Sequence, residues 1–334
     1  MKIHVLVNPR TPTGLMNRVD PFAVHGFKYI KHLSPHFEMV HYGIPSSEME
    51  WLDCEHVNIP TNPNQIKWFN ELAGEQIRKR ASDGDIIACF FGVDNQIACE
   101  MNPNCKVVEP SIGYRANGIF APYRVFTSYA NMHMFYGERG MLMNPSWFDA
   151  VIGNPFTISE FEYSEEKEDY FLYFGRVCEE KGVHLAIQAT EKAGKKLIIA
   201  GPGSLEQLGY SKTPDHVTMF GVANAEQRKQ LMKNAKGLIG LTYYVEPFGN
   251  MVIEANLSGT PVITTDWGAF PEIVLEGQTG YRVRDFKSLL NAINTIDKIN
   301  SFECREWGLN FSDEVIHDKH KNYLNKVIAN DFYE

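Results

Sequence analysis

No apolar run in this chain approaches the roughly 20 residues that a membrane-crossing helix requires. The longest, Ile86 to Val93, is under half of that, and no charged-then-apolar leader precedes the strand-like run at Lys2 to Val7, so a soluble, cytoplasmic protein is expected. A basic excess is also missing. The net charge is -9 and neither half is basic, which argues against general polyanion binding, since affinity for a phosphate backbone comes from clustered Lys and Arg. The six cysteines, at 54, 89, 99, 105, 178 and 304, include no Cys-x-x-Cys pair, so neither a zinc site nor a disulfide framework is suggested. His317 and His320, three apart near the end, offer too few ligands for a metal. Asp83-Gly84-Asp85 is the only Asp-x-Asp and reads as a turn before a strand, and Arg78-Lys79-Arg80 reads as the cationic end of a helix. Low-complexity segments and repeats of 20 to 50 residues are absent.

What is present is a 334-residue chain of ordinary globular composition, 44% apolar and 22% charged, long enough for two cores. Short apolar runs recur at Lys2 to Val7, Phe37 to His41, Asp85 to Phe91, Lys106 to Val108, Arg124 to Ser128 and Ala150 to Gly153, with helical patterns between several of them. Asp20-Pro21 reads as an N-cap followed by proline at the first helical position, and Gln65 to Ala81 as a further helix. This alternation predicts a parallel sheet covered on both faces, hence an α/β fold. Asn154-Pro155 and the acidic stretch Glu160 to Asp169 break the pattern, and a more regular series follows. Its strands are expected at Tyr170 to Phe174, Lys196 to Ala200, His216 to Phe220, Gly237 to Leu241, Pro261 to Thr264 and Gly280 to Val283, with helices near 181 to 193, 224 to 235, 249 to 258 and 285 to 297. Ser312 then caps an amphipathic segment ending near Phe332. The expected domains are 1–155, 156–311 and a closing helix at 312–334.

Two segments carry chemistry. Phe174-Gly175-Arg176-Val177-Cys178-Glu179-Glu180-Lys181-Gly182 sets two cations just past a strand, where a guanidinium can fork two phosphate oxygens and an ammonium adds a point charge. Glu246-Pro247-Phe248-Gly249-Asn250-Met251-Val252-Ile253-Glu254-Ala255 sets two carboxylates around a glycine turn that opens a helix. The free N–H groups of such a first turn, at Gly249 and Asn250, bind anions without a metal. Glu254, inside the helix, can accept both hydroxyls of a ribose, because an ionised carboxylate is acceptor-only. Paired carboxylates also suit a glycosidase, but here both lie on one segment beside two cations, whereas hydrolases flank a bond.

The second motif resembles the E-P-F-G-x-x-x-x-E-A signature, and the first the G-R-x-x-x-x-K-G turn, of the retaining family-4 glycosyltransferases (glycosyl transferases group 1). That resemblance is strongest over Tyr170 to Leu290. It implies a GT-B architecture: two Rossmann-like domains facing a central cleft, with a C-terminal helix crossing back to the first. Further, it implies a hexosyl transfer from a nucleotide-diphosphate sugar, UDP- or GDP-linked, with retention, no metal and no other cofactor. Arg176 and Lys181 would hold the departing phosphate and Glu246 would contact the sugar, these three being the catalytic set. Gly14, Gly175, Val222, Phe248, Gly249, Asn250, Met251 and Glu254 would bind the donor, Val222 lying in the Phe220-Gly221-Val222 loop that resembles the base-reading loop. Gly201-Pro202-Gly203 lacks the third glycine of a dinucleotide loop, Glu206 standing in its place, and resembles only a strand-end turn. Asp266-Trp267-Gly268-Ala269-Phe270-Pro271-Glu272 resembles the family's G-G-x-P-E turn with Ala269 for a glycine. The first-domain histidine common in the family has no counterpart in Val107 to Tyr114, which leaves Glu109, Ser111 and Tyr114 as acceptor or sugar contacts and His25 and His133 as fallbacks. An acceptor glycan, lipid-linked sugar, small molecule or modified nucleobase all remain open, as does the oligomeric state. A nucleotide-sugar epimerase and a non-catalytic sugar-nucleotide binder are the alternatives.

Overall fold

The structure is a computed structural model, describing residues 1–8, 10–14, 21–60 and 64–331. The chain divides into two compact units, Met1–Pro155 with Asp313–Glu334, and Phe156–Ser312. Among the described residues no helix is long and apolar enough to cross a membrane.

Unit 1 runs β1 (Lys2–Leu6), α1 (Pro21–Leu33), β2 (Glu38–Gly43), β3 (Glu55–Asn58), α2 (Ile66–Arg78), β4 (Ile86–Cys89), α3 (Gln96–Glu100), β5 (Lys106–Ile112), β6 (Tyr123–Phe126), α4 (Tyr129–Glu138) and β7 (Ala150–Val151). The strands form one parallel sheet in the order β3-β2-β1-β4-β5-β6-β7. Its central strands are apolar on both sides, as a doubly covered sheet requires. The Asp20 cap expected for α1 lies outside the described residues. β3 is absent from the sequence-based expectation because it is an edge strand of four residues in which Glu55 and Asn58 are exposed, so no apolar run marks it. β5 runs past its expected end at Val108 through Pro110, with its pairing to β6 shifting register between Glu109 and Ile112. A break in the ladder of this kind is where an inner strand tolerates a proline.

Unit 2 runs β8 (Tyr170–Phe174), α5 (Val183–Lys192), β9 (Lys196–Ala200), β10 (Val217–Gly221), α6 (Ala225–Asn234), β11 (Gly237–Gly240), α7 (Asn250–Leu257), β12 (Val262–Thr265), α8 (Phe270–Ile273), β13 (Gly280–Val283), α9 (Phe286–Thr295) and α10 (Ser301–Leu309). All six strands are parallel, in the order β10-β9-β8-β11-β12-β13. Phe171, Val183, Ile187, Ile239 and Ile293 pack one face of this sheet, and Leu172, Leu238, Val252, Ile253 and Phe270 the other. Each such side chain contributes about 1.5–3 kcal/mol on burial. Asn224 with Gln227, and Asp285 with Ser288, form reciprocal caps that fix where α6 and α9 start. α8 and α10 were not anticipated. One is a single turn opened by Pro271, and the other mixes charge with apolar residues too evenly to show a face.

The last helix, α11 (Asp313–Ala329), belongs to unit 1. Its Ile316, Leu324 and Val327 are buried. Tyr29 of α1 meets His320 edge-on at 5.4 Å, and Lys28 donates to the Pro155 carbonyl at 3.1 Å while pairing with Asp313.

Candidate functional site

In an open parallel sheet, ligands bind beyond the carboxyl ends of the strands, where the strand order reverses direction. In unit 2 that reversal falls between β8 and β11, since the chain steps from β8 out to β10 and returns to β11. The two motif segments are the loops that leave these two neighbouring strands.

Backbone close approach dictates the glycines of the first loop. Gly182 has φ +66°, and a Cβ there would stand 2.0 Å from the Leu241 carbonyl oxygen. The Tyr243 amide bonds the Glu180 carbonyl at 2.8 Å, so the two loops are stitched together through main chain. Gly201 and Gly203 serve the same strand-end packing: a Cβ on Gly201 would lie 1.9 Å from the Gly175 carbonyl oxygen, and Val177 N–H donates to the Pro202 carbonyl at 2.8 Å. This close fit accounts for the Gly-x-Gly there without a dinucleotide.

Lys181 and Glu246 form an ion pair at 2.8 Å between side chains only 17% and 12% exposed. Tyr244 donates its hydroxyl to the same carboxylate oxygen at 2.9 Å, and the Lys181 ammonium lies 4.8 Å from the Tyr244 ring centre. Burial, with the Glu246 carboxylate beside it, holds the Tyr244 hydroxyl well above the usual phenol range, so it stays a donor. Behind Glu246, the Asp266 to Glu272 turn closes on its backbone. Ala269 N–H donates to the Glu246 carbonyl at 2.9 Å, and Gly268, at φ +63°, brings its Cα where a Cβ would sit 2.6 Å from the Glu246 nitrogen. Arg176, by contrast, has a side chain 63% exposed and, among the described residues, pairs loosely with Glu180 at 4.0 Å.

Gly249, at φ +89°, turns the chain into α7 and, as the N-cap residue, brings no side chain of its own to that helix start. A Cβ at Gly249 would meet Phe270 at 2.7 Å. Asn250 is exposed at the opening. Phe248, grouped by resemblance with the donor residues, is 4% exposed and packs against Phe156 and Phe311, so its ring belongs to the core. Met251 likewise folds its side chain back over Gly240 of β11. What these two present to the site is main chain. One helical turn further on, Glu254 pairs with Arg228 Nη1 at 3.1 Å, while Nη2 of the same guanidinium reaches Glu160 at 2.8 Å and its plane lies 5.1 Å from the Phe161 ring. Sequence reasoning passed over Arg228 and Tyr244. Arg228 lies inside a charged helix, where nothing in its neighbours sets it apart, and Tyr244 sits two positions before Glu246 among other aromatics.

Val222 is 73% exposed, just after Gly221 at φ +78°, at the end of β10. In unit 1, Gly14 has φ +155°, and a Cβ would meet the Ser46 hydroxyl at 2.3 Å. Glu109 does not fit its expected role as a sugar contact. It is fully buried, Tyr114 donates to one of its oxygens at 2.7 Å, and the amides of Phe120 and Ala121 donate to the other at 3.2 and 3.0 Å. Burial raises its carboxyl to about 7, and Tyr114 is consumed in the same arrangement. Ser111 instead bonds His25 Nδ1 at 3.1 Å, which draws the fallback histidine to the end of β5, whereas His133 is exposed. Besides His320, His317 stands with His32 and Asp313, the ligand atoms of these three all within 4.8 Å of one another.

Residues 156–305 match the family described as glycosyl transferases group 1. An uncharacterized glycosyltransferase of Methanocaldococcus jannaschii is 30% identical over 171 residues, covering 48% of this chain and 42% of that protein. A glycogen synthase of Mycobacterium tuberculosis is 34% identical over 137 residues, 37% of this chain and 33% of that one. The matched segments thus span less than half the length of these relatives. Among solved structures, Anabaena HepE in complex with UDP and glucose superposes with a TM-score of 0.71 at 16% identity, covering 98% of this chain and 100% of that one. The chain has the GT-B fold, with two parallel-sheet, Rossmann-like units, and residues 156–305 of the second unit match the glycosyl transferases group 1 family.

Proposed function

We propose that unit 2 binds a nucleotide-diphosphate sugar, UDP- or GDP-linked, and that the chain transfers the sugar to an acceptor hydroxyl with retention of configuration and without a metal ion. The observation that carries this reading is the Lys181–Glu246 pair beside the N-terminus of α7, at the reversal point of the sheet. A cation, a carboxylate and the positive end of a helix dipole converge there, which suits a diphosphate joined to a polyhydroxylated ring. HepE, whose fold is shared, was solved with UDP and glucose.

In this reading Arg176, Lys181 and the first-turn amides of α7 take the diphosphate, and Glu254 takes the ribose hydroxyls. Glu246 accepts from hydroxyls of the sugar. The bond from the anomeric carbon to the phosphate oxygen breaks with its electron pair going to the phosphate. That charge is what the cations and the helix dipole stabilise. The acceptor oxygen bonds the same face of the anomeric carbon, and its proton passes to the departing phosphate. Lys181 and Glu246 are paired with each other at 2.8 Å, so in this reading the ammonium serves both the phosphate and the carboxylate that meets the sugar.

Thermal shift against a panel of nucleotide sugars tests the proposal, because a ligand that binds only the native state raises the melting temperature. A UDP- or GDP-sugar should raise it, EDTA should leave the donor-induced increment unchanged, and Arg176→Ala should remove most of it. No shift with any nucleotide sugar would overturn the reading.

A further inference from the structure

We propose that His32, Asp313 and His317 form a binding site for one transition-metal ion of the zinc class, joining α1 to α11 within unit 1. Two of the ligands lie one helical turn apart on α11 and the third faces them from α1. Asp313 Oδ2 is 3.8 Å from His32 Nε2, and the two imidazoles lie parallel, ring centres 4.6 Å apart and planes 7° apart. Ligands of a tetrahedral ion with bonds of ~2.1 Å sit ~3.4 Å from one another, so the set is open by roughly 1 Å and closes through side-chain rotation.

The protons are arranged for ligation. The ring nitrogen Nδ1 of His317 lies 2.6 Å from the Asp313 carbonyl oxygen and must donate to it, which leaves Nε2 with its lone pair. His32 Nε2 is buried with no hydrogen-bond partner, a costly state that a bound ion would relieve. Lys28 sits 3.1 Å from Asp313 Oδ1, while Oδ2 is the oxygen nearer the His32 ring. Two imidazoles and one carboxylate select zinc, cobalt, nickel or copper over magnesium or calcium, which prefer oxygen sets. His317 is 3% exposed and Asp313 likewise, so access is from the His32 side, whose side chain is 18% exposed. The ordinary rival is a purely structural cluster in which Lys28 is the only cation.

The test is titration of the untagged, chelator-treated full chain with Co2+ followed by visible absorption, and with Zn2+ followed by melting temperature. One equivalent of Co2+ should give the absorption of a four- or five-coordinate ion, and Zn2+ should raise the melting temperature. His32→Gln, at the partly exposed ligand, and His317→Gln should each weaken binding about 10–100-fold while the metal-free circular dichroism of His32→Gln matches the parent. Absence of the Co2+ spectrum in the parent, or its persistence in both variants, would overturn the proposal.

Discussion

Lys181 and Glu246, 65 positions apart, close a 2.8 Å ion pair across the loops that leave two adjacent strands. Removing either leaves the other's charge without its ion-pair partner in a part-buried site, although Glu246 keeps the hydrogen bond from Tyr244. Lys181→Met should therefore destabilise by about 1–3 kcal/mol, less than a fully buried pair because water still reaches both groups. It should also weaken donor binding about 10–100-fold by calorimetry. If Glu246→Gln and the double variant show additive losses in both quantities, the pair is not coupled.

Gly182 and Gly194 share nearly the same backbone conformation, φ +66° and +64°, yet differ in surroundings. An added Cβ at Gly194 meets nothing within 4 Å, whereas at Gly182 it meets the Leu241 carbonyl. Gly194→Ala should cost about 1–2 kcal/mol, the left-handed penalty alone. Gly182→Ala should cost clearly more in urea titration and should also abolish donor binding. Equal costs would show that the loop relaxes freely.

Arg228 divides one guanidinium between Glu160 and Glu254. Lysine cannot fork in that way. Arg228→Lys should therefore keep the fold but loosen Glu254, and Arg228→Ala should remove the guanidinium that ties Glu160 to Glu254. If Glu254 holds the ribose, the preference for a ribonucleotide donor over its deoxyribose analogue should fall about 10-fold in KM, with kcat less affected. An unchanged preference would detach Arg228 from the ribose.

Acid should weaken unit 1. His41 is fully buried and its pKa is lowered to about 3 by desolvation, and His4 is shifted in the same direction for the same reason. A folded pKa below the ordinary value of 6.5 means the unfolded chain binds more protons across that interval, so stability is complete above about 6.5 and is lost as pH falls towards 3. Glu109 runs the other way: raised to about 7, it removes stability as pH rises from 4.5 to 7. Urea midpoints should fall from pH 7 to pH 5, and His41→Gln should flatten that slope.

Much of the fold was legible because buried parallel strands are written as apolar runs: Tyr170–Phe174, Lys196–Ala200 and Gly280–Val283 begin and end where those runs do. Edge strand Glu55–Asn58 and the turn at Phe270–Ile273 were not, because neither has a one-sided apolar pattern long enough to register. In the site, Glu246, Gly249 and Glu254 are fixed by local spacing on one segment, so a motif finds them. Arg228 reaches Glu254 from 26 positions away and Tyr114 reaches Glu109 around a strand bulge, and such pairings follow from tertiary packing alone. The same holds for His32, which spacing along α11 could never have joined to His317.

Because α11 follows unit 2 in the chain yet completes unit 1, the two units mature in an order opposite to their numbering. Unit 2 is one uninterrupted segment and can acquire its core during synthesis as soon as it clears the ribosome. Unit 1 must wait, its α1 surface uncovered, until translation has delivered Asp313 to Ala329.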